Sequence, residues 1–131
     1  MRIRAGFTLT EVLVAIVVIA VLAGLAVPNF RNTIEQARSN EAIANLNVIR
    51  MEQRIYRLNQ GRFWPDPDGT NATIANINTA LNVDLDTEFY TGLSVTSTGA
   101  GTAFTATASR AGSTKTYTID QDGNITEGGA F

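Results

Sequence analysis

From Val12 to Val27 every side chain is apolar or absent, and between Phe7 and Val27 the one charged residue is Glu11. Wound as a helix at 1.5 Å per residue, this stretch covers roughly 30 Å, the thickness of a bilayer core. The helical pattern then continues with a different composition. Asn29 to about Leu58 is rich in Ala, Glu, Gln, Arg, Leu and Ile, with no glycine or further proline until Gly61. A single helix from Phe7 to near Asn59 would be about 80 Å long. A membrane or an assembly is needed to support that length.

Stepping about 100° per residue places Ala44, Val48, Met51, Ile55 and Leu58 in one arc and Ala42, Ile49 and Tyr56 in a second strip, with Arg50, Arg54 and Arg57 between them. One apolar arc is expected to pack under the rest of the chain, and the other is left for a neighbour; a single broad buried face with arginine flanks fits the same residues. Pro28 has no N–H to give the carbonyl of Gly24, so Gly24 and Pro28 together are the expected point of flexibility. Two outcomes are open there: a kink in an intact helix, or local melting between about Leu22 and Val27.

Gly61-Arg-Phe-Trp-Pro-Asp-Pro-Asp-Gly69 stops the helix with glycine and proline. Asn71 to Asn82 reads as a short helix or an irregular loop. Beyond it the period changes to two: Leu93–Thr98, Ala103–Ser109 and Thr114–Asp120 alternate as half-buried strands, and Asp122-Gly123 turns the chain into a short last strand at Asn124–Thr126. The expectation is α+β: a long N-terminal helix on an antiparallel sheet of three or four strands, with Val95, Phe104, Ala106, Tyr117 and Ile119 facing inward. Three segments follow: residues 1–6, the helix over 7–60 with its first ~21 residues apolar, and a small head over 61–131.

Glu11 is the anomaly. A charge inside an apolar span costs about 2.5–3.5 kcal/mol at the bilayer centre and marks a function with a partner. A secretory signal has a short apolar core, no acid within it and small residues after it; here the small residue, Gly6, precedes the run. A cut between Gly6 and Phe7 creates an α-amine on Phe7 one helical turn from Glu11. The two can pair within one chain, or the amine of one copy can pair with Glu11 of the next.

Gly6-Phe7-Thr8-Leu9-Thr10-Glu11, the apolar helix and Val27-Pro28-Asn29-Phe30 resemble the class III leader and N-terminal helix of type IV pilins and pseudopilins. The motif covers the first thirty residues, and the looser helix-then-sheet layout covers the rest. The resemblance implies cleavage after Gly6 by a prepilin peptidase, N-methylation of Phe7, an inner-membrane precursor, an inner-membrane assembly platform, and polymerisation of identical subunits through their N-terminal helices. Glu11 and Phe7 would then set the register. The matching stretch before Pro28 resembles a region that loses helicity on assembly. Asp120, Asp122 and Asn124 resemble part of an acidic loop, and some pseudopilins hold calcium in a C-terminal loop. Asp-Gly between two strands is the signature of a plain hairpin turn as well.

Composition narrows the function. The chain has neither cysteine nor histidine, which removes the usual thiol nucleophile, the commonest general base and most zinc ligand sets. It also departs from the many pilins that staple their C-terminal region with a cysteine pair. Residues 29–62 carry six arginines against three glutamates, whereas residues 63–131 carry Arg110 and Lys115 against eight acids. Opposite signs in adjacent segments suit a solvated surface, or head-to-tail complementarity between stacked copies. No nucleic-acid stripe is evident; Arg50, Arg54, Arg57 and Arg62 read as a solvated face. The sequence therefore points to a structural, non-enzymatic subunit, a major pilin of an extracellular filament. The alternatives are a pseudopilin of a type II secretion-type system with a periplasmic filament, and, further off, a soluble binding domain released by a Sec signal ending near Val21–Ala26.

Overall fold

The structure, a computed structural model, describes residues 6–129, and the side chains of all of these except Pro28 and Asn29. Of the expected leader, Met1 to Ala5 lie outside the described residues. Helix α1 runs over Leu9–Gln60. It is followed by β1 (Gly69–Asn71), α2 (Ile74–Leu81), β2 (Gly92–Thr98), β3 (Ala103–Ser109), β4 (Thr116–Asp120) and β5 (Ile125–Gly128). The chain divides into two compact units, one ending at Ala37 and one from Arg38 onward.

In the first unit α1 continues through Gly24 and Pro28 without a break, so in the single chain the helix is intact. From Val12 to Val27 its side chains are all exposed, Leu25 at 67%, and Phe7, just ahead of the helix, is 81% exposed.

In the second unit the five strands form one sheet in the order β1-β2-β3-β4-β5, every pair antiparallel. The register aligns Val95 with Ala106 and Leu93 with Ala108, and Ala106 with Ile119 and Ala108 with Tyr117. These residues are buried on one face, as period-two alternation requires. Threonines and serines occupy the other. The inner face packs with Ala42, Leu46 and Ile49 of α1, with Ile77 and Leu81 of α2, and with Phe63 and Tyr90 from the connecting segments. All five inward residues expected from the sequence are in this core. Of the two helix arcs, the shorter one, with Ala42 and Ile49, is the buried one. Val48, Met51, Ile55 and Leu58 are left exposed.

One element differs from expectation, and one open alternative closes. The sheet has five strands because Gly69–Asn71, where no strand was expected, pairs with β2 at Gly69↔Ser97, Thr70↔Thr96 and Asn71↔Val95. This edge strand is polar and buries little, so no alternation announces it. What holds it is side-chain chemistry: Thr70 Oγ1 and Thr96 Oγ1 lie 2.7 Å apart, and the Asp68 carboxylate accepts from Ala100 N–H and Gly101 N–H at 2.6 Å each. The segment left as helix or loop is a helix, α2, with Ile77 and Leu81 buried one turn apart and Asn82 closing it in the left-handed region at φ 54°.

Helix α1 ends where the sequence placed its stop. Gly61 adopts φ +78° and donates its N–H to the Arg57 carbonyl at 2.8 Å, a glycine C-cap.

Candidate functional site

The N-terminal site is built on the first turn of α1. Thr8 is its cap: the Glu11 N–H points at Thr8 Oγ1 at 3.3 Å, and the Thr8 carbonyl accepts from the N–H groups of Glu11 and Val12 at 3.1 and 3.3 Å. Thr8-Leu9-Thr10-Glu11 is thus a Thr-x-x-Glu cap ahead of an apolar run. The Thr-x-x-Glu spacing is the sequence signal for this helix start. The cap fixes where the helix begins, two residues beyond the expected cut. Gly6 and Phe7 precede it, exposed and outside the helix. Glu11 is exposed, and among the described residues its carboxylate has no partner in the single chain. An 18-residue window of α1 reaches a mean hydropathy of 2.7 with none of it buried, long and apolar enough to cross a membrane.

The second unit shows how the same helix carries a head. Polar side chains of α1 reach over and hold the connecting segments. Glu41 accepts from Phe89 N–H at 3.0 Å and from Tyr90 N–H at 3.0 Å, and the Asn45 amide donates to the Asp86 carbonyl. Gln53 is fully buried. It takes the Trp64 N–H at 2.9 Å and returns its own N–H to the Trp64 carbonyl at 2.5 Å. Arg50 donates to the Asp122 carbonyl at 2.9 Å and the Gln121 carbonyl at 3.4 Å. Tyr117 OH donates to Ser39 Oγ at 2.8 Å. No periodicity or motif in the chain announces these pairings. The one clue was Gln53, a polar residue in register with Ala42, Leu46 and Ile49.

Asp120, Asp122 and Asn124 are brought together in the β4–β5 turn, where the Asp120 carboxylate serves as the acceptor for the turn's own N–H groups. Asp120 Oδ1 accepts the N–H groups of Asp122, Gly123 and Asn124 at 2.8–2.9 Å, and Oδ2 accepts the Asn124 side-chain amide at 2.9 Å. A carboxylate surrounded by N–H donors is already satisfied. Among the described residues no group of three or more acidic side chains is placed to hold a metal. Gly123, at φ +93°, lets the turn close on Arg50; a Cβ there would stand 2.7 Å from Arg50 Cζ.

These donors, first the Asn124 amide, hold the Asp120 carboxyl below its ordinary value of 3.8. A lowered native pKa stabilises the fold above that ordinary value and loses the effect as pH falls through the lowered one. The thermal stability of the wild-type chain is therefore expected to fall in that acid window by more than that of Asp120→Asn. Parallel pH profiles for the two proteins would remove this role from Asp120. Lys115 fastens the same two strands, its ammonium 2.7 Å from Glu127 Oε1, a contact that raises its pKa.

Comparison with known proteins places these features in context. Residues 1–27 match the prokaryotic N-terminal methylation motif. The chain is 33% identical over 73 residues to type II secretion system core protein G of Dickeya chrysanthemi, covering 56% of this chain and 48% of that one. With core protein G of Escherichia coli K12 it shares 36% over 71 residues, 54% of this chain and 49% of the relative. With type IV major pilin protein PilE1 of Neisseria gonorrhoeae it shares 32% over 73 residues, 56% and 43%. The chain spans about half the length of the curated relatives it matches. The resemblance to type IV pilins and pseudopilins holds both in the motif and in the pilin-like α+β fold.

Proposed function

We propose that this chain is a pilin-like structural subunit of the pseudopilin kind, anchored by α1 and built into a filament of identical copies through its N-terminal helices. The methylation motif over residues 1–27 is the observation that carries this reading. The core protein G relatives favour the secretion-system alternative over the surface major pilin that was the first expectation. The subunit starts in the inner membrane and ends in a periplasmic filament. A prepilin peptidase cuts after Gly6, the new amine of Phe7 is methylated, and an inner-membrane platform assembles the product.

Physical chemistry supports the roles. Leu9–Val27 offers apolar side chains on every face of α1, which suits lipid first and the helices of other copies afterwards. In either surrounding the Glu11 carboxylate requires a cation, and the Phe7 amine of a neighbouring copy supplies one. Gly24 and Pro28 weaken the backbone ladder where a packed helix would have to yield. Asp120, Asp122 and Asn124 act as the turn that closes the last hairpin.

The test is the N-terminal mass of the protein recovered from native cells. A chain starting at methylated Phe7 in the envelope fraction is expected. A soluble chain starting near Gly24 or Val27 would overturn the reading in favour of a secreted domain. Abundant filaments sheared from the cell surface would restore the major pilin.

A further inference from the structure

Beside the end of α1 lies an open cleft of about 690 Å³, lined by Arg54, Arg57, Leu58, Phe63, Gln121 and Asp122 among others. Arg57 stacks its guanidinium 4.9 Å from the centre of the Phe63 ring. Arg54 is exposed, and among the described residues it has no hydrogen-bond or ion-pair partner in the chain. The one acid on the rim, Asp122, already accepts from the Gln121 amide at 3.1 Å. The cleft is thus a partly apolar, cationic receptor with an unused guanidinium.

The same unit holds unused charge of the opposite sign. Asp84, Asp86 and Glu88 are exposed in the segment between α2 and β2, and among the described residues their carboxylates have no partner. This segment is fixed in place: Asn45 holds the Asp86 carbonyl and Glu41 holds the Phe89 and Tyr90 N–H groups. Its anchors on α1 therefore precede Arg54 and Arg57 by nine to sixteen residues. At 1.5 Å per residue that is roughly 14–24 Å along the helix, beyond the reach of a salt bridge and beyond a screening length of about 8 Å at physiological ionic strength. The two charged patches cannot neutralise each other within one chain.

From this we infer that the Arg54–Arg57 cleft receives the Asp84–Glu88 segment of a second copy. Two different patches of opposite charge, displaced along one helix, make a head-to-tail contact, and such a contact repeats without closing, as a helical filament does. The inference rests on the assembly reading above and adds a surface to it: the heads, and not the apolar helices alone, select the neighbour. Electrostatic pairing of this kind fixes register and excludes wrong orientations.

The full-length chain has no cysteine, so engineered thiols report without background. A double variant Leu58→Cys with Thr87→Cys, which places thiols in the cleft and in the acidic segment while keeping every charge, treated in intact envelopes with a short bismaleimide, is expected to give a ladder of dimer, trimer and higher species. Either single variant alone is expected to stay monomeric. A dimer from one single variant, or the double variant remaining monomeric while wild-type filaments are present, would overturn the contact. Charge reversal checks it independently. Arg54→Glu with Arg57→Glu, and Asp84→Arg with Asp86→Arg, should each lower assembled protein about tenfold, and combining all four should restore it to within about twofold. A combined variant as poor as its parents would overturn the pairing. Absence of filaments in the wild type, with Phe7 unprocessed, would instead remove the assembly reading itself.

Discussion

Replacing Glu11 with leucine is expected to deplete assembled protein by two orders of magnitude or more while leaving the membrane pool intact or larger. The two effects have opposite signs because the carboxylate is a burden in lipid and an asset in the filament. An acid at the bilayer centre costs about 2.5–3.5 kcal/mol; Glu11, in the first turn of the span, bears a part of that cost, so its removal favours the anchored precursor. In the filament core the Phe7 amine of the next copy would lose its counter-charge, and an uncompensated charge left by breaking a buried pair costs about 3–5 kcal/mol. That cost recurs at every subunit. Separating envelope from filament fractions and blotting both gives the readout. Glu11→Gln tests charge against shape: if it assembles as well as the wild type, hydrogen bonding alone suffices and the ion pair is not the register device. The exposed, unpaired state of Glu11 in the single chain is what this account requires.

The second large effect is expected at Gln53→Ala, which should destabilise the head by about 2–4 kcal/mol. Truncation removes a fully buried side chain and strands both the N–H and the carbonyl of Trp64. For a domain of this size, that corresponds to a fall in Tm of roughly 10–30 °C. Circular dichroism of the detergent-solubilised chain measures it. Asn59→Ala, exposed on the same helix, serves as the control and should lie within about 0.5 kcal/mol of wild type. An unchanged Tm for Gln53→Ala would mean that water reaches the Trp64 peptide groups in the variant.

The contrast between these two residues shows what the sequence could disclose. Glu11 stood out because an acid in sixteen apolar neighbours breaks a local pattern, and the matching motif spans 1–27. Strands β2, β3 and β4 were legible for a similar reason: Val95, Phe104, Ala106, Tyr117 and Ile119 alternate with threonines, and burial on one face demands that alternation. Gln53 breaks its own pattern too, but its partner Trp64 is a backbone group, and backbone groups leave no trace in the order of side chains. The same holds for Glu41 on Phe89 and Tyr90, and for Asp68 on Ala100 and Gly101. Strand β1 was missed for the converse reason. Gly-Thr-Asn has no apolar face to display, and its place depends on a carboxylate and a Thr–Thr contact made across the fold.

The two helix arcs show the limit within a single element. Period alone separated Ala42 and Ile49 from Val48, Met51, Ile55 and Leu58, yet could not say which would meet the sheet. The larger apolar arc is the exposed one. The face that meets the sheet carries Glu41, Asn45 and Gln53, which hold the connecting segments, and also Leu46, which lies outside both arcs and completes an apolar row with Ala42 and Ile49.

The span of those attachments also sets when the head can close. Arg50 waits for a carbonyl 72 residues later in the chain, and Ser39 waits for a hydroxyl 78 residues later. Contacts of such sequence separation form late and slow a folding reaction. In a chain made from its N-terminus, residues 38–60 emerge well before the strands that cover them, so Ala42, Leu46 and Ile49 pass through an interval without their partners. For that interval the helix presents apolar side chains on both faces. The last hairpin, arriving with Asp122 and Gly123, is therefore the event that turns a sticky helix into a finished subunit.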